Sequence, residues 1–118
     1  MARRDNFIAQ INQGYQMKGG SIVLGAAMLD GEPIKDAFVK IPLKTINRHG
    51  LIAGATGTGK TKSLQVFAEN LSDNGIPVLL MDVKGDLSGI AKSGAENDHI
   101  TKRHAQIGLA YEPKGFPV

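Results

Sequence analysis

The 118 residues contain no cysteine. That absence excludes disulfides, cysteine nucleophiles and thiolate-bound metals, and it fits a chain kept in a reducing cytoplasm. Long apolar runs are also missing. The longest, such as "IVLGAAML" at 22–29, fall far short of the roughly 20 residues that span a bilayer, so no membrane association is expected. The opening "MARRDNF" is basic, but no apolar segment follows it, so no secretory leader is expected. Internal repeats, low-complexity tracts and blocks of like charge are absent as well. The net charge of +3 is too small to mark a nucleic-acid binder and reads first as an ordinary solvated surface. Hydrophobic residues make up 42% of the chain, enough for a packed core in one domain-sized unit.

Two regimes are visible. In residues 1–45, Phe7, Ile11 and Tyr15 recur four apart with Ile8 beside them. The spacing predicts a helix over 5–18, with Asp5 as N-cap, Gly14 as a weak point and Gly19-Gly20 as the stop. Residues 21–29 read as a strand. Asp30-Gly31 supplies the positive φ of a tight hairpin turn, and 34–43 reads as the returning strand, ended by Pro42.

In residues 46–118 the pattern changes. The short apolar stretch 49–54 reads as a strand. Residues 60–75 read as an amphipathic helix, with Leu64, Phe67, Ala68 and Leu71 inward, Lys62, Gln65, Glu69 and Asp73 toward water, and Gly75 as C-cap ahead of Pro77. Residues 76–82, apolar throughout, read as a strand buried on both faces. Strand, helix and strand predict a βαβ unit with parallel strands and a right-handed crossover.

Between that first strand and the helix stands "GATGTGKT", which matches G-x-x-x-x-G-K-[ST]. The residue types follow from the chemistry of holding a nucleotide phosphate. Backbone N–H groups must turn inward together, which glycines at 54, 57 and 59 permit because they carry no Cβ. A helix beginning just after Gly59 adds unpaired N–H groups and the positive end of its dipole. Lys60 supplies a mobile charge for the outer phosphates, and the Thr61 hydroxyl is the length that ligates Mg²⁺. The candidate nucleotide-binding residues are thus Ala55, Thr56, Gly57, Thr58, Gly59, Lys60, Thr61 and Lys62, with Lys60 also the candidate catalytic cation. A dinucleotide-type glycine turn is the alternative, but Lys62 stands where its third glycine would fall.

Asp82 closes the second apolar strand and is the second candidate Mg²⁺ ligand beside Thr61, in the manner of a Walker B aspartate. Val83 follows it where many ATPases place a water-activating glutamate. A capping role for Asp82 is the competing account. Lys84-Gly85-Asp86 reads as a turn, with Asp86 as N-cap of 87–92. His49, His99 and His104 read as surface residues. His99 and His104 stand five apart on an expected helix and share no metal-binding face. Lys102 and Arg103 make only a small basic spot.

"NRHGLIAGATGTGKTKSLQ" followed by "GIPVLLMDVKGDLSGIA" resembles the HerA-like ATPases, relatives of the FtsK-type DNA translocases. The similarity is greatest to the bacterial helicase HerA-like C-terminal domain proteins. It runs from about residue 41 to 118, takes in "YEPKGFPV", and is loose before that. The resemblance implies an α/β fold with a RecA-like P-loop NTPase core, bound ATP and Mg²⁺, duplex DNA as partner and a homo-oligomeric hexameric ring. It carries phosphate binding onto residues 56–61 and the strand-end aspartate onto Asp82. It also implies an Asp-Glu pair, a polar sensor and an arginine finger, and no segment of 83–118 has the form of the Asp-Glu pair. The expectation is therefore the N-terminal piece of a longer ATPase, with an uncovered strand edge. Two other functions remain open: a module that binds nucleotide without turning it over, and a P-loop kinase.

Overall fold

The computed structural model describes residues 1–118, which form two compact units. The first comprises Met1–Ile46 and Glu96–Glu112, the second Asn47–Ala95 and Pro113–Val118. The expected division placed everything after residue 45 together; contacts instead group 96–112 with the hairpin.

In the first unit, helix α1 spans Ala2–Gly14. It starts earlier than its apolar spacing suggested, so Asp5 lies inside the first turn, where its charge favours the dipole, rather than at the cap. It ends at Gly14, where the high conformational entropy of glycine makes continuation unfavourable. Strands β1 (Ser21–Leu29) and β2 (Glu32–Pro42) pair antiparallel, with Leu29 opposite Glu32 and Ser21 opposite Pro42. The two-residue turn has φ of 52° at Asp30 and 81° at Gly31, the primed geometry that matches strand twist. Between Ala26↔Phe38 and Met28↔Pro33 the register slips, and residues 34–37 bulge against Ala27 alone. The bulge turns Ile34 and Ala37 inward, where they form a core with Ala27 beneath Phe7, Ile8 and Ile11 of α1.

Helix α3 (Asp98–Ile107) completes this unit. The Asn97 side chain accepts from Ile100 N–H at 3.0 Å, and Gly108 closes the helix at φ 81°. A Cβ on Gly108 would strike the Asp36 carboxylate and lie 3.1 Å from Lys35 Cγ, so glycine there also permits close contact with the bulge. His104 is half-buried rather than at the surface. Its Nδ1–H donates to the Leu109 carbonyl at 3.2 Å, and its ring lies 5.2 Å from that of Tyr111.

In the second unit, helix α2 spans Lys60–Asp73. Gly75, at φ 72°, donates to Ser72 O at 2.9 Å, and Ile76 N–H reaches Leu71 O at 3.0 Å, which is the Schellman ending expected of that glycine. Ala68 and Leu71 are buried, and so is Gln65, which the helical pattern had turned to water. A short 3₁₀ turn spans Ser88–Ala91, and Phe116 N–H donates to Ile90 O at 3.0 Å. Lys114 pairs with Asp73 and stands 5.0 Å over the Phe116 ring.

Residues 51–55 and 76–82 lie outside any helix or hydrogen-bonded ladder; β1 and β2 form the sheet of this structure. Leu79 and Met81 are each 89% exposed, so 76–82 is not enclosed on both faces as its apolar run suggested. Enclosure of that kind needs a paired strand on each edge and a layer on each face, and the chain supplies neither to this segment. No helix is long and apolar enough to cross a membrane.

Candidate functional site

The loop before α2 is built by its glycines. Gly57 has φ 80° and Gly59 φ 93°, values that other residues adopt only with strain, and an added Cβ at either would meet nothing within 4 Å. The loop is therefore bent left-handed beside open space. At Gly54 the constraint is different: a Cβ there would stand 2.6 Å from Thr58 Oγ1. Thr58 is spent internally, since its N–H and hydroxyl both donate to Ala55 O, at 3.3 and 2.7 Å.

The first helical hydrogen bond of α2 runs from Ser63 N–H to Gly59 O at 2.9 Å. The N–H groups of Gly59, Lys60, Thr61 and Lys62 precede it and find no backbone acceptor. Four donors at one helix start attract an anion, with the dipole adding to the attraction. Lys60 folds back, and its Nζ donates to Ala55 O at 2.7 Å. The ammonium thus lies over the loop, held by a single neutral acceptor that a charged phosphate oxygen would outcompete. Thr56 and Thr61 are exposed. Lys62 directs its ammonium along the helix to Gln65 Oε1 at 3.1 Å, so its side chain is engaged there while its N–H remains free.

Asp82 is an exposed carboxylate that organises the turn following it. Oδ1 accepts from Gly85 N–H at 2.9 Å and Oδ2 from Leu87 N–H at 2.8 Å. The Leu87 N–H, with further N–H groups of the same turn, holds its carboxyl below the usual aspartate range. Asp82 thereby does what was expected of Asp86. Leu87 rather than Asp86 precedes the 3₁₀ turn, and the Asp86 contribution is its backbone carbonyl, which accepts from Gln65 Nε2 at 3.4 Å. Each Asp82 oxygen keeps a lone pair beyond its N–H partner, so capping leaves the carboxylate able to ligate a cation. No three His, Asp or Glu side chains converge anywhere in the chain. Thr61 and Asp82 are oxygen donors in this unit that could contribute to holding a divalent cation, with water completing its shell.

Gln65 is the buried polar residue near the loop whose burial sequence patterning missed. It falls between Leu64 and Ala68 on a helix whose apolar stripe accounts for both neighbours, and its partner lies 21 residues away. The second unit also has an apolar groove of about 750 Å³, lined by Ala68, Ile76, Val78, Leu80 and Phe116 among others. None of residues 54–62 borders it, so it is separate from the loop.

Against this geometry stand the comparisons with known proteins. The model of the helicase HerA-like C-terminal family matches residues 28–118, a span that takes in the glycine loop, α2, Asp82 and α3. No curated protein and no solved structure matches the chain.

Proposed function

This chain belongs to the helicase HerA-like C-terminal family, and from that premise we propose that residues 54–61 are the phosphate loop of a Mg²⁺-dependent ATPase. In the whole protein it would serve a motor of the DNA-translocating kind, working as a hexameric ring on duplex DNA. The observation that carries the proposal is the set of free N–H groups on Gly59, Lys60, Thr61 and Lys62 behind two left-handed glycines. The residues fit a triphosphate: the glycines leave open space where a Cβ would intrude, and Lys60 already overhangs the loop. The fold proposed for the complete domain is a RecA-like parallel sheet, with 49–54 and 76–82 as strands on either side of α2.

The roles of the chain's own residues follow. The free backbone N–H groups of residues 59–62 orient the phosphates. Lys60 exchanges the Ala55 carbonyl for a phosphate oxygen and balances its charge. Thr61 and Asp82 would hold Mg²⁺, which when bound neutralises charge that builds on the phosphates. A second proposal, nucleotide binding without turnover, is favoured by Val83, which is fully exposed and cannot activate water.

Calorimetric titration of Mg-ATP tests the loop. Lys60→Ala removes one charged hydrogen bond to phosphate, which is worth about 1.5–3 kcal/mol and so weakens binding by roughly 10- to 150-fold. A folded wild-type chain that binds no ATP would refute the proposal. Phosphate release with and without duplex DNA separates motor from passive binder.

A further inference from the structure

Gln65 is the one polar side chain buried in this chain, at 9% exposure. It lies on the inner face of α2 beside Ala68 and Leu71, where an aliphatic residue would pack without a polar group to satisfy. Both ends of its amide are used. Oε1 accepts from Lys62 Nζ, one turn back on α2, and Nε2 donates to Asp86 O. This orientation is chemically forced, because the flipped amide would set NH₂ against an ammonium and oxygen against a carbonyl.

The Asp86 carbonyl belongs to the turn that Asp82 holds by its two carboxylate contacts. Leu87, the last donor to Asp82, is buried in the same unit. One amide therefore ties the helix that begins with Lys60-Thr61 to the turn that begins with Asp82. Its 3.4 Å donor contact is at the long end of hydrogen-bond lengths, so the turn is guided rather than locked. The apolar neighbours already supply the packing of α2. A buried amide is a poor choice for packing and a good one for fixing register between two segments.

We propose that Gln65 is a positioning residue that sets where Asp82 stands relative to Thr61, and so governs the Mg²⁺-dependent part of ATP binding. This rests on the phosphate-loop proposal above. Gln65 touches neither phosphate nor metal; it acts through the turn.

The test uses the intact chain, titrated with ATP in MgCl₂ and again with ATP in EDTA. Gln65→Met keeps length and volume and removes both hydrogen bonds. Gln65→Glu keeps the acceptor for Lys62 and loses the donor to Asp86, so it carries the test if the methionine variant does not fold. In both variants the metal-free affinity stays within about twofold of wild type, while the gain on adding Mg²⁺ falls by about fivefold or more, the loss of one positioned hydrogen-bonded contact. Hydrogen exchange at the Gly85 and Leu87 amides quickens in parallel. An undiminished Mg²⁺ gain overturns the inference and leaves the phosphate loop standing. Equal loss with and without Mg²⁺ also overturns it, since that is the mark of a merely structural role. A wild-type chain that binds ATP in neither condition removes both proposals together.

Discussion

Gly59 and Gly75 flank α2 with similar left-handed backbones, φ 93° and 72°, and an added Cβ at either meets nothing within 4 Å. Alanine at each position therefore brings the same conformational cost, about 1–2 kcal/mol, with no steric addition. The two costs are expected to surface in different measurements. Gly75 is held by its own N–H bond to Ser72 O and by the Ile76 bond to Leu71 O, and Leu71 is buried. That ending cannot relax without opening the helix, so Gly75→Ala lowers stability, by roughly 4–8 °C of melting temperature for each kcal/mol in a small domain.

Gly59 has no such anchorage. Residues 51–59 are exposed throughout, and the Gly59 carbonyl accepts only from Ser63 N–H. Gly59→Ala lets the loop relax to negative φ at little loss of stability. The free N–H groups of residues 59–62 then no longer converge, and ATP must restore the left-handed bend. The same 1–2 kcal/mol then weakens Mg-ATP binding by about 5- to 30-fold. Thermal melts and calorimetric titrations on both variants give four numbers. A Gly59→Ala chain that melts as low as Gly75→Ala while binding ATP normally would refute the reasoning.

Two carboxylates make opposite predictions for pH. Asp82 is held below its ordinary value of 3.8, chiefly by the Leu87 N–H, so its ionised form stabilises the turn above that pH and the benefit is lost as pH falls through the lower folded value. Asp82→Asn is accordingly less stable than wild type in urea titrations at pH 7, and the difference closes below pH 3.8. Glu69 is pushed above its ordinary 4.5, first by burial and then by Asp73, with Lys62 and Lys114 opposing. Its ionised form therefore disfavours the fold at neutral pH. Glu69→Gln gains a few tenths of a kcal/mol at pH 7, after allowance for solvent screening, and the gain vanishes as pH falls below 4.5.

What could be read from the sequence was local. The hairpin was legible because Asp30-Gly31 and the flanking alternation specify turn and strands within a few residues. The end of α2 was legible because Gly75 and Pro77 state it chemically, and the glycine loop because its pattern and the helix after it are contiguous. The family was legible for the same reason, since "GATGTGKT" and "DVKGD" each carry their constraint in a short span. Even the start of α1 missed by only a few residues, at a helix that no side chain caps.

What could not be read was pairing at a distance. The bulge at 34–37 meets Gly108 through Asp36, and nothing near either residue announces the other. That contact draws α3 into the hairpin's unit, although its polar sequence suggested a surface helix in the second. Gln65 and Asp86 are likewise invisible as a pair, because a glutamine on a helix shows no preference for burial until its partners are known. The capping role expected of Asp86 fell to Asp82 for a related reason. Either carboxylate could cap the turn by composition, and the choice fell to the one whose oxygens reach the Gly85 and Leu87 N–H groups together. Asp82 is thus both the turn's organiser and the proposed metal ligand, and these roles are compatible because each oxygen spends only one lone pair on the backbone. A carboxylate already oriented by two N–H groups loses little freedom on meeting a cation, so the cap that competes with the metal role in the sequence prepares for it in the fold.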